Sequence, residues 1–109
     1  MMAGQNTLEE GLSRIRHSFV TRLSGYSVDL LAFLAAPTSI ETVDSALFAL
    51  HKISGSAATL GFSELGMQSK QAEEILREDL TKYAYPSDIS VDAVRVVYLT
   101  SQEILDASA

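Results

Sequence analysis

Between Leu8 and Leu34 the apolar residues Leu8, Leu12, Ile15, Phe19, Leu23, Tyr26, Leu30 and Leu34 follow one another at intervals of three or four. A strand alternates every second residue, so this spacing specifies an amphipathic helix sustained for about seven turns. Pro37 requires a stop by about Ala36, because its ring excludes helical geometry for the residue before it. Asn6 is the expected N-cap, with Glu9 reaching back from the N3 position, and residues 1–6 are expected to form a flexible N-terminal segment. Gly25 interrupts the pattern, so the segment is either one long helix, bent at that point, or two collinear helices.

Three further segments repeat the helical period. Thr38 with Glu41 gives a second capping signature, followed by the stripe Ile40, Val43, Leu47, Leu50, Ser54 and Ala57 and a stop near Gly61, a residue suited to the left-handed region. Ser63 is the expected cap of a third helix carrying Leu65, Ser69, Ala72, Leu76 and Leu80. YAYPSDIS then reads as a turn, with Pro86 and Ser87 preparing a fourth helix striped by Val91, Val94, Tyr98, Ser101 and Leu105. VRVVYL is β-branched enough to imitate a strand, but the helical period continues beyond strand length and a lone strand has no sheet to join. Four amphipathic segments on short connections bury their stripes only against one another. The expected fold is all-α, an antiparallel four-helix bundle forming a single domain over residues 1–109.

Composition removes several classes of function. The chain has no cysteine, which excludes disulfides, thiol catalysis and thiolate metal sites and fits a cytoplasmic location. The opening MMAGQNTLEEG has neither the basic region nor the apolar block of a signal peptide, and no apolar run suits membrane insertion. Fourteen acidic against eight basic residues, a net charge of −6, argue against nucleic-acid binding, whose affinity comes largely from phosphate neutralisation. Charge is nonetheless uneven. Arg14, Arg16, His17 and Arg22 cluster on the first helix, and Glu73, Glu74, Glu78 and Asp79 form an acidic block on the third. Both groups read first as solvated helix faces, with a basic patch for a protein partner as the alternative.

The stretch LHKISGSAATLG, residues 50–61, sets one of only two histidines a turn before a glycine inside a core helix. His51 falls at the edge of the core face, with Phe48, Lys52 and Gly55 on its outer side. Glycine in a helix interior costs roughly 1 kcal/mol relative to alanine, so its presence needs a cause. Either Gly55, Ala57, Ala58 and Gly61 permit close helix packing, or the missing side chains leave the imidazole accessible to something as large as a protein. Periodicity leaves both open. A neutral imidazole is a nucleophile, a base or a metal ligand near neutral pH. A metal site needs three or four convergent ligands, which this composition supplies poorly. There is no G-x-S-x-G elbow for hydrolysis, and GSAATLG lacks the G-K-[ST] ending of a phosphate loop.

HKISGSAATLGFSELG resembles the core signature of the histidine-containing phosphotransfer, or HPt, domain family, through His51, Gly55, Ser56, Gly61, Phe62 and Leu65. The number and order of helices extend the resemblance over nearly the whole chain. It implies that His51 is a phosphoryl acceptor, with Gly55, Phe48, Ser56, Thr59 and Lys70 as access and docking positions. It also implies a polar side chain from the third helix near the ring, for which Gln71 is the better candidate and Lys70 the other. One position departs from the pattern. The family usually has lysine three residues after the active histidine, where this chain has Ser54. A hydroxyl supplies no charge, whereas a charge-assisted contact is worth about 1.5–3 kcal/mol. Lys52 is a candidate for compensating, with a solubilising lysine as the plainer reading.

The function implied is that of a phosphorelay carrier. His51 would accept a phosphoryl group from a receiver-domain phosphoaspartate and pass it to another receiver aspartate. No cofactor of its own is expected, and there is no ATP site or autonomous kinase centre. Mg²⁺ would belong to the receiver, and the partners would be response-regulator receiver domains, some of them within hybrid sensor histidine kinases. The alternative is a degenerate HPt domain that binds receivers without carrying phosphate and regulates by interaction alone.

Overall fold

The computed structural model describes residues 2–109, with side chains from Thr7 onward. Four helices account for nearly all of it: α1 (Met2–Ala35), α2 (Ile40–Ala57), α3 (Ser63–Tyr83) and α4 (Asp88–Ser108). α2 packs against α1 and α3, and α4 against α3 and α1, closing an up-down-up-down bundle. The all-α four-helix architecture expected from the pattern is therefore present. VRVVYL lies within α4 as helix.

Helix limits differ from the sequence expectation at several ends. α1 passes through Gly25 without a break, so the segment is one helix. Its backbone begins ahead of Asn6, which is therefore not its cap. The Asn6 side chain lies outside the described residues, and of the segment expected to be flexible over residues 1–6 only the backbone of 2–6 is described, as the start of α1. Thr38 does not cap α2. Pro37 and Thr38 form the turn itself, Ser39 is the N-cap, and Thr42 Oγ1 donates back to the Ser39 carbonyl at 3.0 Å. Ser63 is the first residue of α3 rather than its cap, and Phe62 holds the N-cap place without a side-chain bond.

Gly61 explains that last shift. It adopts φ +93°, its N–H bonds to the Ala58 carbonyl at 3.2 Å, and the Phe62 N–H bonds to the Ala57 carbonyl at 2.8 Å. This pair of bonds is the Schellman ending of a helix, with glycine at the left-handed position. The reversal carries Phe62 under the bundle, where its ring stacks on Phe19 at 5.6 Å between centroids. The start of α3 is thus fixed by aromatic packing instead of a hydroxyl cap.

The core follows the predicted stripes with adjustments. Phe19, Leu23, Leu30 and Phe33 come from α1, and Leu50, Ile53 and Ala57 with Val43, Ala46 and Ala49 from α2. Leu65, Ala72 and Leu76 come from α3, and Val94 and Val97 from α4. Ser69, Ser90 and Ser101 are fully buried. Leu8, Leu12 and Ile15, expected in the stripe, are exposed instead. The reason is length. At about 1.5 Å per residue α1 spans about 50 Å, well beyond its partners, and the molecule measures 59 Å along its longest axis.

Asp79 is buried and holds the α3–α4 turn. It accepts from Ser87 Oγ and from the Ser87 N–H at 2.8 Å, while Ser87 Oγ caps α4 by accepting from the Ser90 N–H. The Ser87 hydroxyl and then the Ser87 amide hold the Asp79 carboxyl below its ordinary value of 3.8, outweighing the opposing effect of burial. A carboxylate favoured in the folded state contributes stability above its unfolded pKa and loses it as pH falls through the lower folded value. Asp79→Ala is therefore expected to cost roughly 2–3 kcal/mol at neutral pH. Urea titrations should show the gap between wild type and variant closing as pH drops below about 4.

Candidate functional site

α2 presents one outward side between the helices that flank it. His51, Phe48, Lys52 and Gly55 lie there, Thr59 follows in the turn just past the end of the helix, and all are exposed. Ser56 does not share it, being half-buried about 140° round the helix from His51. A Cβ built on Gly55 would meet no atom within 4 Å. Gly55 is therefore not needed for packing, and of the two explanations left open by the sequence, access is the one its surroundings fit. Close packing is served by a different glycine. A Cβ on Gly66 of α3 would lie 3.1 Å from the Ala58 nitrogen and 3.2 Å from its Cβ, so Gly66 sets the approach of α3 to the end of α2.

The His51 side chain is 70% exposed, yet one ring nitrogen is engaged. Nδ1 donates to Glu73 Oε2 at 3.1 Å, across the α2–α3 interface and 22 residues along the chain. Glu73 is only 12% exposed and is itself held by Arg77, whose Nε and Nη2 donate to the same oxygen at 3.0 and 2.9 Å. A carboxylate paired with a guanidinium is an acceptor only, so the proton sits on Nδ1. In the neutral ring this leaves the lone pair on Nε2, on a side chain that is largely open to solvent. The arrangement is an oriented, accessible imidazole nucleophile.

Gln71, expected to orient the ring, is on another side of α3. Two residues before Glu73 it is turned by about 200°, and it lines a shallow cleft of about 120 Å³ against α4 with Gln68, Ile75, Ala93 and Val96. The orienting group is instead a carboxylate of the acidic block, which its charge pattern alone marks as a solvated face. That block divides in the structure. Glu73 holds the imidazole, Asp79 holds the α3–α4 turn, Glu78 pairs with Lys82 at 2.6 Å, and Glu74 is exposed. Glu73 and Arg77 stand four apart, the spacing of a helical ion pair, and Glu73 follows Gly66 by seven, on the side that meets α2. That juxtaposition was the available signal.

The remaining positions divide between the ring and its surroundings. Ser54 Oγ donates to the His51 carbonyl at 3.0 Å, so its hydroxyl is committed to its own helix. The Lys52 ammonium stands 5.4 Å from the centre of the Phe48 ring, a cation–π contact on the flank away from Ser54. Lys70 is exposed one turn before Glu73. No cluster of three potential metal-ligating side chains occurs among the described residues.

A family model, the Hpt domain, matches residues 6–104. The chain belongs to the Hpt domain family. Comparison with curated proteins and with solved structures returned no match. Hpt domains serve histidine phosphotransfer in phosphorelays and interact with response-regulator receiver domains, and that general role is assigned to this chain with its family. Among the described residues of this Hpt domain, no helix is long and apolar enough to cross a membrane.

Proposed function

We propose that His51 is the phosphoryl carrier of this Hpt domain, taking the group from a receiver phosphoaspartate and yielding it to a second receiver aspartate. The observation that carries the reading is the Nδ1 bond to Glu73 on a ring that is otherwise open to solvent. Nε2 attacks phosphorus as the bond from phosphorus to the aspartyl oxygen breaks, and the receiver keeps its carboxylate. The Nδ1 proton stays in place, and its bond to Glu73 stabilises the charge that develops on the ring. Mg²⁺ and most of the stabilisation of the transferring group belong to the receiver, so this domain contributes a nucleophile, its orientation and its access.

Phe48, Lys52, Gly55 and Thr59 form the central receiver contact, with Lys70 at its α3 margin. Phe48 supplies exposed apolar area and Lys52 a cation beside it, the composition of an interface core with a charged edge. The test is incubation with phosphorylated receiver domains, followed by assay for acid-labile, base-stable phosphate. Label is expected on wild type and absent from His51→Gln. Label retained by that variant would move the acceptor elsewhere, His17 being the other histidine.

The second reading, a domain that binds receivers without carrying phosphate, is favoured by Ser54, whose committed hydroxyl provides no charge where the family usually has lysine. Measurable receiver binding without label would select it. Ser54→Lys is then the variant in which label should appear.

A further inference from the structure

We propose that Arg77 supplies the positive charge for a phosphoryl group on His51, the part that lysine usually plays in this family at the position of Ser54. The inference rests on His51 being the carrier and names a further residue of that site. A phosphoryl group on an imidazole is anionic, and Glu73, which orients the ring, is a carboxylate only 12% exposed. Two anions would then stand beside one ring, and like charges so close repel unless a cation is near. Ser54 supplies none, since its hydroxyl is neutral and donates to the His51 carbonyl. Lys52, the candidate for compensation by sequence, has its ammonium 5.4 Å from the centre of the Phe48 ring. It also follows His51 by one residue on α2, a rotation of about 100° away from α3.

Arg77 differs because it belongs to the ring's own hydrogen-bond network. Its Nε and Nη2 donate to Glu73 Oε2 at 3.0 and 2.9 Å, and His51 Nδ1 donates to that same oxygen at 3.1 Å. Guanidinium and imidazole nitrogens are thus within about 6 Å of one another, inside the screening length of about 8 Å at physiological salt. The Arg77 side chain is 57% exposed, so its charge is open to an approaching phosphoryl group. Glu73 and Arg77 together are neutral, and the carboxylate orients the ring without leaving net negative charge where the group arrives. The transfer step keeps its balance. Nε2 bonds phosphorus as the donor's bond to phosphorus breaks, and Arg77, permanently protonated, neither gives nor takes a proton.

The test follows acid-labile label at low ionic strength from two donors, a phosphorylated receiver and phosphoramidate, a small donor that needs no docking surface and releases ammonia. Arg77→Ala is expected to keep its helical content and to accept phosphoryl roughly tenfold more slowly from both, a gap that narrows in about 0.5 M salt. Arg77→Lys keeps the charge and should retain most of the rate. Adding Ser54→Lys to Arg77→Ala returns a cation to the site and should restore it. The loss should also persist in a Glu73→Gln background, because the Arg77 charge acts on the phosphoryl group whatever residue 73 carries. A loss that vanishes there would mean that Arg77 only holds Glu73, and would overturn the proposal. So would equal rates for wild type and Arg77→Ala, or a larger loss from Lys52→Ala or Lys70→Ala with phosphoramidate. A wild type unlabelled by either donor would overturn the carrier reading itself, and this inference with it.

Discussion

Glu73→Ala is expected to leave the bundle folded and to slow phosphoryl acceptance roughly 10–100-fold, the loss that follows when a reacting group is no longer held in line. Glu73 acts as a positioning residue, since it touches Nδ1 and not the nitrogen proposed to react. Without it nothing fixes the proton on Nδ1, and a fraction of the rings carry hydrogen on the nucleophilic nitrogen. The check beyond rate is the ¹⁵N spectrum of the imidazole, which should report Nδ1–H in wild type and a tautomer mixture in the variant. Glu73→Gln retains an acceptor oxygen and should fall between the two. Removing Glu73 also releases Arg77, whose charge would favour an incoming phosphoryl group. A double variant lacking Arg77 as well separates these effects, and a transfer rate equal to wild type in both would refute the positioning role.

Gly55→Trp is expected to reduce transfer at least about a hundredfold while stability changes by no more than about 0.5 kcal/mol. The two halves of this expectation have separate causes. A Cβ at Gly55 would meet no atom within 4 Å and the position is exposed, so a larger side chain there extends toward solvent, and any residue other than proline suits a helix interior better than glycine. The same space is one turn from His51, where the proposed carrier role would bring a receiver within bonding distance of Nε2. Gly55→Ala is the control. Its small methyl should raise the melting temperature slightly and leave most transfer intact. Parallel melting and transfer assays decide the matter, and a Gly55→Trp protein that transfers normally would show that access does not pass over this turn.

Local pattern carried most of the fold. The three-and-four spacing of apolar residues, Pro37, Gly61 and the Pro86–Ser87 turn were enough to place four helices and their order, because helical period and turn chemistry act over a few residues. His51 and Gly55 were legible for the same reason, their relation being one helical turn. The hydroxyl caps expected at Thr38 and Ser63 are absent. At the second of these, the Gly61 reversal and the Phe19–Phe62 stack govern where α3 begins, and that stack joins residues far apart in sequence.

The order of amino acids alone specifies a helical bundle with a histidine and a small-residue run on one helix. Which third-helix side chain meets the imidazole is a matter of packing. Gln71 and Glu73 are both polar and only two residues apart, but that offset is a large rotation, and the register set by Gly66 against Ala58 turns Glu73 to His51 and Gln71 toward α4. Likewise Leu8, Leu12 and Ile15 match the core stripe in type and spacing, and their exposure follows solely from where the neighbouring helices end. Periodicity specifies which side of a helix is apolar. Whether another helix is there to cover it, and at what height, depends on chain packed from elsewhere in the sequence.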